Sequence, residues 1–271
     1  MKRLKSLNME APSNYLYVKT GDGSISLRDQ ETGEWYHNSA GAFEESKDNY
    51  AVPALYLLER LSGQADRQSV KLLDICFGLG YNSFSLINQL LKEKIALPVL
   101  EIHAVELDKS LLPVMAETLE QNCFERLNQA NFVTGEEKTC FKNFFKAENH
   151  SSGKVIKAVL KPENESAIKE IHFNLYFEDL RIQVPSLIED HEKSFDLVFH
   201  DPFSPNKKPQ FWTEDLFSCY RTLLKDNVGI LLTYSIASAV RGGLIDPGFP
   251  LYKTKPVGLK SGAPLGIAAS I

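Results

Sequence analysis

The sequence has no apolar run near the roughly 18 residues that a membrane-spanning helix needs. The basic start MKRLKSLNMEAPSNY has no apolar stretch behind it, so no signal peptide is expected. Cysteine is scarce: Cys76, Cys123, Cys140 and Cys219 lie far apart, with no C-x-x-C pair and no Cys/His ligand spacing. A zinc site and a disulfide framework are therefore not expected, and reduced thiols in a cytoplasmic protein are. Net positive charge is also lacking. Thirty Lys and Arg stand against 35 Asp and Glu, giving −5. That argues against a general nucleic-acid binder. The charge is uneven, however. From residue 201 onward eight basic and five acidic residues give +3, which leaves −8 on the first 200 residues. Such a basic end can still meet an anionic partner.

What is present is a soluble composition, 43% hydrophobic and 24% charged, over 271 residues. The first segment, 1–66, reads as a small β-rich extension followed by a helix. YLYVKT and ISLRDQ alternate across the turn GDGS, and NYAVPALYLLERL repeats its apolar residues at helical spacing. From 67 to 271 the pattern changes. Buried-strand runs (VKLLDIC, VLEIHAVEL, FDLVFHD, GILLTYS) alternate with helical ones (SFSLINQLLKEK, DKSLLPVMAETLEQN, FWTEDLFSCYRTLL). This predicts an α/β domain with right-handed crossovers and a mostly parallel sheet, whose ligand site lies at the carboxyl ends of the strands. Residues 135–170 break the rhythm and read as an insertion or an elongated strand pair, in which KVIKAVL and AIKEIHFNLYF could pair as a hairpin across PENES.

Four stretches carry candidate chemistry. In LLDICFGLGYN, Gly78 and Gly80 sit where a strand becomes a helix, so the backbone can approach a ligand closely. A dinucleotide fingerprint would need a third glycine at Ser83. In HAVELD, Glu106 ends a strand where a carboxylate could take two ribose hydroxyls, and Asp108 reads as a helix cap. In FEDLRIQ, Asp179 is favoured over Glu178 as an acceptor for an adenine amino group, with a plain cap as the other reading. In FDLVFHDPFSPNKKPQFW, a buried strand ends at Asp201, and Pro202 and Pro205 stiffen the turn that displays it. His200 should point to the opposite face of its strand, and the six histidines show no metal spacing.

These stretches resemble a known family. The turn at Asp201 is similar to the D-P-P-Y pattern of amino methyltransferases. GAFEES (41–46), FGLGYN (77–82), VEL (105–107), FEDL (177–180), DPFSPNKKPQFW (201–212) and TYSIASAVRGGLIDPGF (233–249) together resemble the enzymes that methylate 5-aminomethyl-(2-thio)uridine at the tRNA wobble position. That is a class I S-adenosylmethionine (SAM) methyltransferase family. A late G-x-x-x-K-R segment of the family is met only by GLKSG with Lys260. The resemblance implies a Rossmann-like, mostly parallel seven-stranded sheet with helices on both faces, and SAM as cofactor without a metal. It implies tRNA, at its anticodon wobble uridine, as partner. In some bacteria the methyltransferase is fused to a flavin oxidase, and no second Gly-rich motif for one occurs in this sequence. Residue by residue, Glu45, Gly78, Gly80, Asn82, Glu106 and Asp179 would hold SAM. Asp201 would face the transferred methyl and the amine. Phe203, Trp212 and Tyr234 would line the base pocket, and Lys207 and Lys208 would meet phosphates. Two other readings stand beside it: a polyamine aminopropyltransferase-like enzyme, and a non-catalytic SAM- or tRNA-binding protein.

Overall fold

A computed structural model describes residues 11–61, 69–118, 155–160, 168–235, 237–253 and 266–269. The amino-terminal hairpin forms as the alternation predicts. Strands β1 (Tyr15–Lys19) and β2 (Ile25–Asp29) pair antiparallel. The turn between them is held by Asp22, whose Oδ1 accepts from the Thr20 hydroxyl and the Ser24 N–H. Helix α1 (Ala42–Ser46) runs through a π-helical turn at Lys47–Ala51 into α2 (Val52–Leu61). The apolar periodicity locates this helical stretch but not the wider turn inside it. Pro53 lies just beyond that turn and has no N–H to return to it. π-Turns gather at functional sites, and this one carries Tyr50.

The main sheet follows the alternating pattern. Strands β3 (Ser69–Ile75) and β4 (Leu97–Glu106) are separated by helix α3 (Tyr81–Lys92). Helix α4 (Leu112–Thr118) follows β4, and then come β5 (Val155–Leu160) and β6 (Ile168–Phe177). Helices α5 (Leu180–Ser186) and α6 (Ile188–His191) lead to β7 (Leu197–His200). Helix α7 (Glu214–Leu223), β8 (Ile230–Thr233), α8 (Ser238–Ile245), β9 (Leu251–Lys253) and β10 (Gly266–Ala269) complete the described elements. The strand order is β5-β6-β4-β3-β7-β8-β10-β9. Neighbours from β6 through β8 are parallel, whereas β5 and β10 run antiparallel to theirs. The α/β class and the mostly parallel sheet are as expected. The described strands of this sheet number eight rather than seven.

The additional strand is β5. KVIKAVL does pair with AIKEIHFNLYF, antiparallel. β6 also pairs with β4 as a parallel strand of the main sheet. The rest of the expected insertion, with Cys140 and His150, lies outside the described residues, as do Cys123, Lys255 and Lys260. Alternate residues of the strands face opposite layers. Leu72, Phe199 and Leu232 join Leu27, Phe43, Tyr50 and Phe84 in one core, which the amino-terminal segment therefore shares. Leu73, Ile75, Val198 and Leu231 join Phe217, Tyr220 and Leu244 in the other. Among the described residues no helix is long and apolar enough to cross a membrane.

The centre of β3 holds an acid. Asp74 is fully buried, and its Oδ2 accepts from the Ser83 hydroxyl at 2.6 Å. Its Oδ1 has no partner among the described residues. Burial pushes its pKa up to about 8. The native protein thus keeps this proton from about pH 4, where an unfolded Asp releases it, up to about pH 8. Over that window the unfolded state binds fewer protons, so stability falls as pH rises, by up to about 1.4 kcal/mol per pH unit. Asp74→Asn removes the titrating group. Urea midpoints of variant and wild type are expected to diverge in favour of the variant from pH 5 to pH 8. A gap that stays constant over that range would refute the assignment.

Candidate active site

The chain crosses from β3 to α3 through an unusual loop. Cys76, Gly78 and Gly80 all have positive φ, at 60°, 56° and 82°. Side chains are costly there, by about 1–2 kcal/mol, and only two of the three positions are glycine. Gly78 lines the cleft, where a Cβ would lie 3.1 Å from the Tyr36 ring. Gly80 does not line it. It precedes the first turn of α3, and a Cβ there would lie 2.6 Å from Phe77 and 2.7 Å from Phe84. Its lack of a side chain is a packing requirement.

Glu106 closes β4 and is nearly buried. Its Oε2 accepts from the Gly78 N–H at 2.8 Å and its Oε1 from the Asp108 N–H at 2.9 Å. Burial pushes its pKa up, against the pull of these donors. Asp108 is the cap that the sequence predicts: its Oδ1 accepts from the Ser110 N–H, and its Oδ2 from the Tyr15 hydroxyl. Asp179 caps α5 and pairs bidentately with Arg181 at 3.0 and 2.6 Å. That pairing holds its carboxyl below the usual carboxylate range. The cap reading and a place on the cleft wall thus both hold for Asp179.

Asp201 follows β7 directly. The Tyr50 hydroxyl donates to its Oδ1 at 2.7 Å, and the Asn82 amide donates to its Oδ2 at 2.8 Å. Burial pushes its pKa up while both donors pull it down. The turn after it is fixed on several sides. The Tyr234 hydroxyl donates to Pro202 O at 3.0 Å, and Trp212 Nε1 donates to Phe203 O at 2.9 Å. Glu34, from the segment after the hairpin, accepts from both the N–H and the hydroxyl of Ser204. Tyr36 meets the Phe203 ring edge-on at 5.2 Å.

These residues surround one cleft of about 800 Å³ at the carboxyl ends of β3, β4, β6 and β7. It brings together Glu45, Gly78, Asn82, Glu106, Asp179, Asp201, Phe203, Lys208 and Tyr234. Lys207 is not on its wall. Trp212 is not either: it is 7% exposed, packed edge-on against His200 and Tyr234 behind the turn. An aromatic residue after a proline-rich turn gives no sign of which side of that turn it covers. His200 faces away, fully buried on Tyr220, and burial drives its pKa down to about 3. Sequence reasoning missed Tyr50, Glu34, Tyr36 and the 40%-exposed Trp35, all at the cleft. Nine carboxylates and one lysine lie on the described wall. Among the described residues no group of three or more His, Cys, Asp and Glu could hold a metal ion.

Residues 144–268 match a family model described as S-adenosyl-L-methionine-dependent methyltransferase. Over those residues the chain is similar to SAM-dependent methyltransferases. Its sequence is 28% identical over 256 residues to an uncharacterized protein of Methanocaldococcus jannaschii, covering 94% of this chain and 60% of that one. It is 36% identical over 92 residues to the tRNA 5-methylaminomethyl-2-thiouridine biosynthesis bifunctional protein MnmC of Actinobacillus pleuropneumoniae, covering 34% of this chain and 14% of that one. The chain thus spans less than two thirds of the length of either relative. The crystal structure of MNMC2 from Aquifex aeolicus superposes with a TM-score of 0.64 at 24% identity, covering 97% of this chain and 72% of that one. The fold is shared. The match to the family model takes in Asp179, Asp201 and Tyr234, whereas Glu45, the glycine loop and Glu106 precede it.

The residues present fit SAM. Its sulfonium and ammonium are cations, and the wall of the cleft is acidic. Asn82 lines the cleft with a buried Oδ1 that lacks a donor among the described residues. Gly78 carries no side chain where one would crowd Tyr36.

Proposed function

We propose that the protein methylates the exocyclic primary amine of 5-aminomethyl-(2-thio)uridine at the wobble position of tRNA. One observation carries this reading above all. A carboxylate, Asp201, stands in a braced turn at the bottom of an acid-lined cleft, held by two donors. A carboxylate so placed accepts a hydrogen bond from an amine and aims its lone pair. The local similarity to a tRNA 5-methylaminomethyl-2-thiouridine biosynthesis protein adds support for the substrate.

In this reading Glu106 takes the ribose hydroxyls and Asp179 the adenine amino group, while Gly78 and Asn82 lie along the rest of the cofactor and Glu45 stands on the same wall. SAM supplies an activated methyl group. The protein's own work is to orient the amine through Asp201, to keep it unprotonated and to exclude water. Phe203, Tyr234 and the exposed Trp35 offer ring faces and edges to a planar base. Lys208 at the cleft, with Lys207 outside it, suits the phosphates that flank the base.

The excess of carboxylates suits a small polyamine equally well, so the deciding experiment carries both acceptors. Purified protein with radiolabelled SAM is offered aminomethyl-bearing tRNA or spermidine-like amines. Label on tRNA, recovered as the methylaminomethyl nucleoside, is the expected result. Label on the small amine alone would replace tRNA as the substrate.

The ribose assignment has its own measurement. Glu106→Ala is expected to weaken SAM binding by roughly 1.5–3 kcal/mol, the scale of hydrogen bonds to a charged group. An unchanged calorimetric affinity would move the ribose contact elsewhere.

A further inference from the structure

Two carboxylates of the same cleft differ in what surrounds them. Asp201 has one donor on each oxygen, Tyr50 and Asn82, and both favour its ionised form. Glu45, from α1, stands on the same wall. Its Oε2 accepts from the Asn38 N–H at 2.6 Å. The titratable groups that act on it are Asp201 from the end of β7, Tyr50 from the π-turn and Tyr234 from beyond β8. None of these is a cation.

We infer that Glu45 is the proton acceptor that turns a bound ammonium into the neutral amine, while Asp201 orients that amine. The inference rests on the amine-methylating reading above and adds a second catalytic carboxylate to it. In the step, an N–H bond of the substrate ammonium breaks and its electron pair stays on nitrogen as the lone pair. The proton forms an O–H bond on Glu45, which becomes a neutral acid and returns the proton to solvent between turnovers. Nothing is oxidised or reduced.

The surroundings favour this division. Burial, and then the negative charge of Asp201, push the Glu45 pKa up to about 7, against the pull of Asn38. A base is most effective when its pKa lies near the working pH. Tyr50 and Tyr234 are also driven up by burial, well above their ordinary range, so both keep their protons as donors. An alkyl ammonium has a pKa of about 10 in water. An acceptor that is partly ionised near neutrality narrows that gap more than an ordinary carboxylate does.

Glu45→Gln keeps the size and the hydrogen-bonding oxygen but cannot take the proton. Its single-turnover rate is expected to fall about 10²-fold at pH 7, within the usual range for a positioned base. The deficit should shrink toward pH 9.5, where solvent deprotonates the amine. Its SAM affinity, by calorimetry, should stay within about twofold. A second readout needs no SAM and no turnover. Carbon-13 NMR of labelled glutamate carboxyls should show one resonance that titrates near 7 in the wild type and is missing in the variant. A deficit that is the same at every pH, a SAM affinity lost in proportion to the rate, or a resonance at ordinary carboxylate pH would each overturn the inference. If the wild type methylated no amine at all, the proposed function would fall, and this inference with it. If only the Glu45→Gln profile disagreed, the proposed function would stand and the inference alone would be lost.

Discussion

Asp201→Ala is expected to lower the single-turnover methyl-transfer rate by about 10²–10⁴, with SAM affinity changed little. The cofactor-side groups, Gly78 and Glu106, are bonded to each other and not to Asp201. Removing Asp201 therefore leaves their geometry in place. What it removes is the acceptor between Tyr50 and Asn82 at the bottom of the cleft. Two donors would then lose their partner, and the amine would lose its orienting group. Asp201→Asn should lose less. Its amide oxygen still accepts, and the Tyr50 hydroxyl can turn from donor to acceptor to meet the new N–H₂. Rates on aminomethyl-bearing tRNA, with SAM affinity measured alongside, test both variants. If Asp201→Ala kept most of its rate, or failed only because SAM no longer bound, the role would be wrong.

The second large effect concerns stability. Gly80→Ala is expected to cost about 2–4 kcal/mol. Left-handed backbone contributes roughly 1–2 of this, and overpacking contributes the rest. The new methyl would meet Phe77 and Phe84 well inside contact distance. Neither ring can retreat easily. Both are nearly buried, and Phe84 lies stacked on Phe173 at an interplanar angle of 7°. For a chain of this size the melting temperature should fall by roughly 5–15 °C. A melting curve within a degree of wild type would show that the loop relaxes freely. Gly78→Ala should cost less stability, because its methyl would point at Tyr36 from 3.1 Å across the cleft.

Local pattern carried much of this architecture into the sequence. A buried run that ends in glycines, another that ends in an acid, and a third that ends in Asp-Pro-Phe each mark the carboxyl end of a strand. Chain order at a doubly wound sheet then brings those ends together. Even the β5–β6 hairpin was visible, through the turn residues of PENES. What was hidden lies between distant segments. Tyr50 reads as one more apolar position of an amphipathic helix, and nothing near it hints at a carboxylate 151 residues away. Glu34 reads as a solvated turn acid, yet it grips Ser204. The packing of Trp212 is hidden for the same reason. Composition supplies an aromatic, and only packing says which wall it supports. Gly80 matched a motif for the cofactor, but its absent side chain serves two phenylalanines.

The ties at the reaction end also set an order of events in folding. Asn82, Tyr50 and Glu34 reach Asp201 and Ser204 across 119, 151 and 170 residues. Loops of that length close slowly, as does the pairing of β3 with β7, which spans 125 residues from Leu72 to Leu197. On the ribosome the hairpin and the helix bearing Tyr50 emerge early and must wait for the turn at Asp201 to be made. Once the sheet has formed, the same ties are few and lie at its edge, so they are the ones to open first in native-state hydrogen exchange. The cleft end of the molecule is thus slow to close and the first to open. A ligand that bridges the amino-terminal segment and the Asp201 turn would do for its kinetics what a short loop does elsewhere.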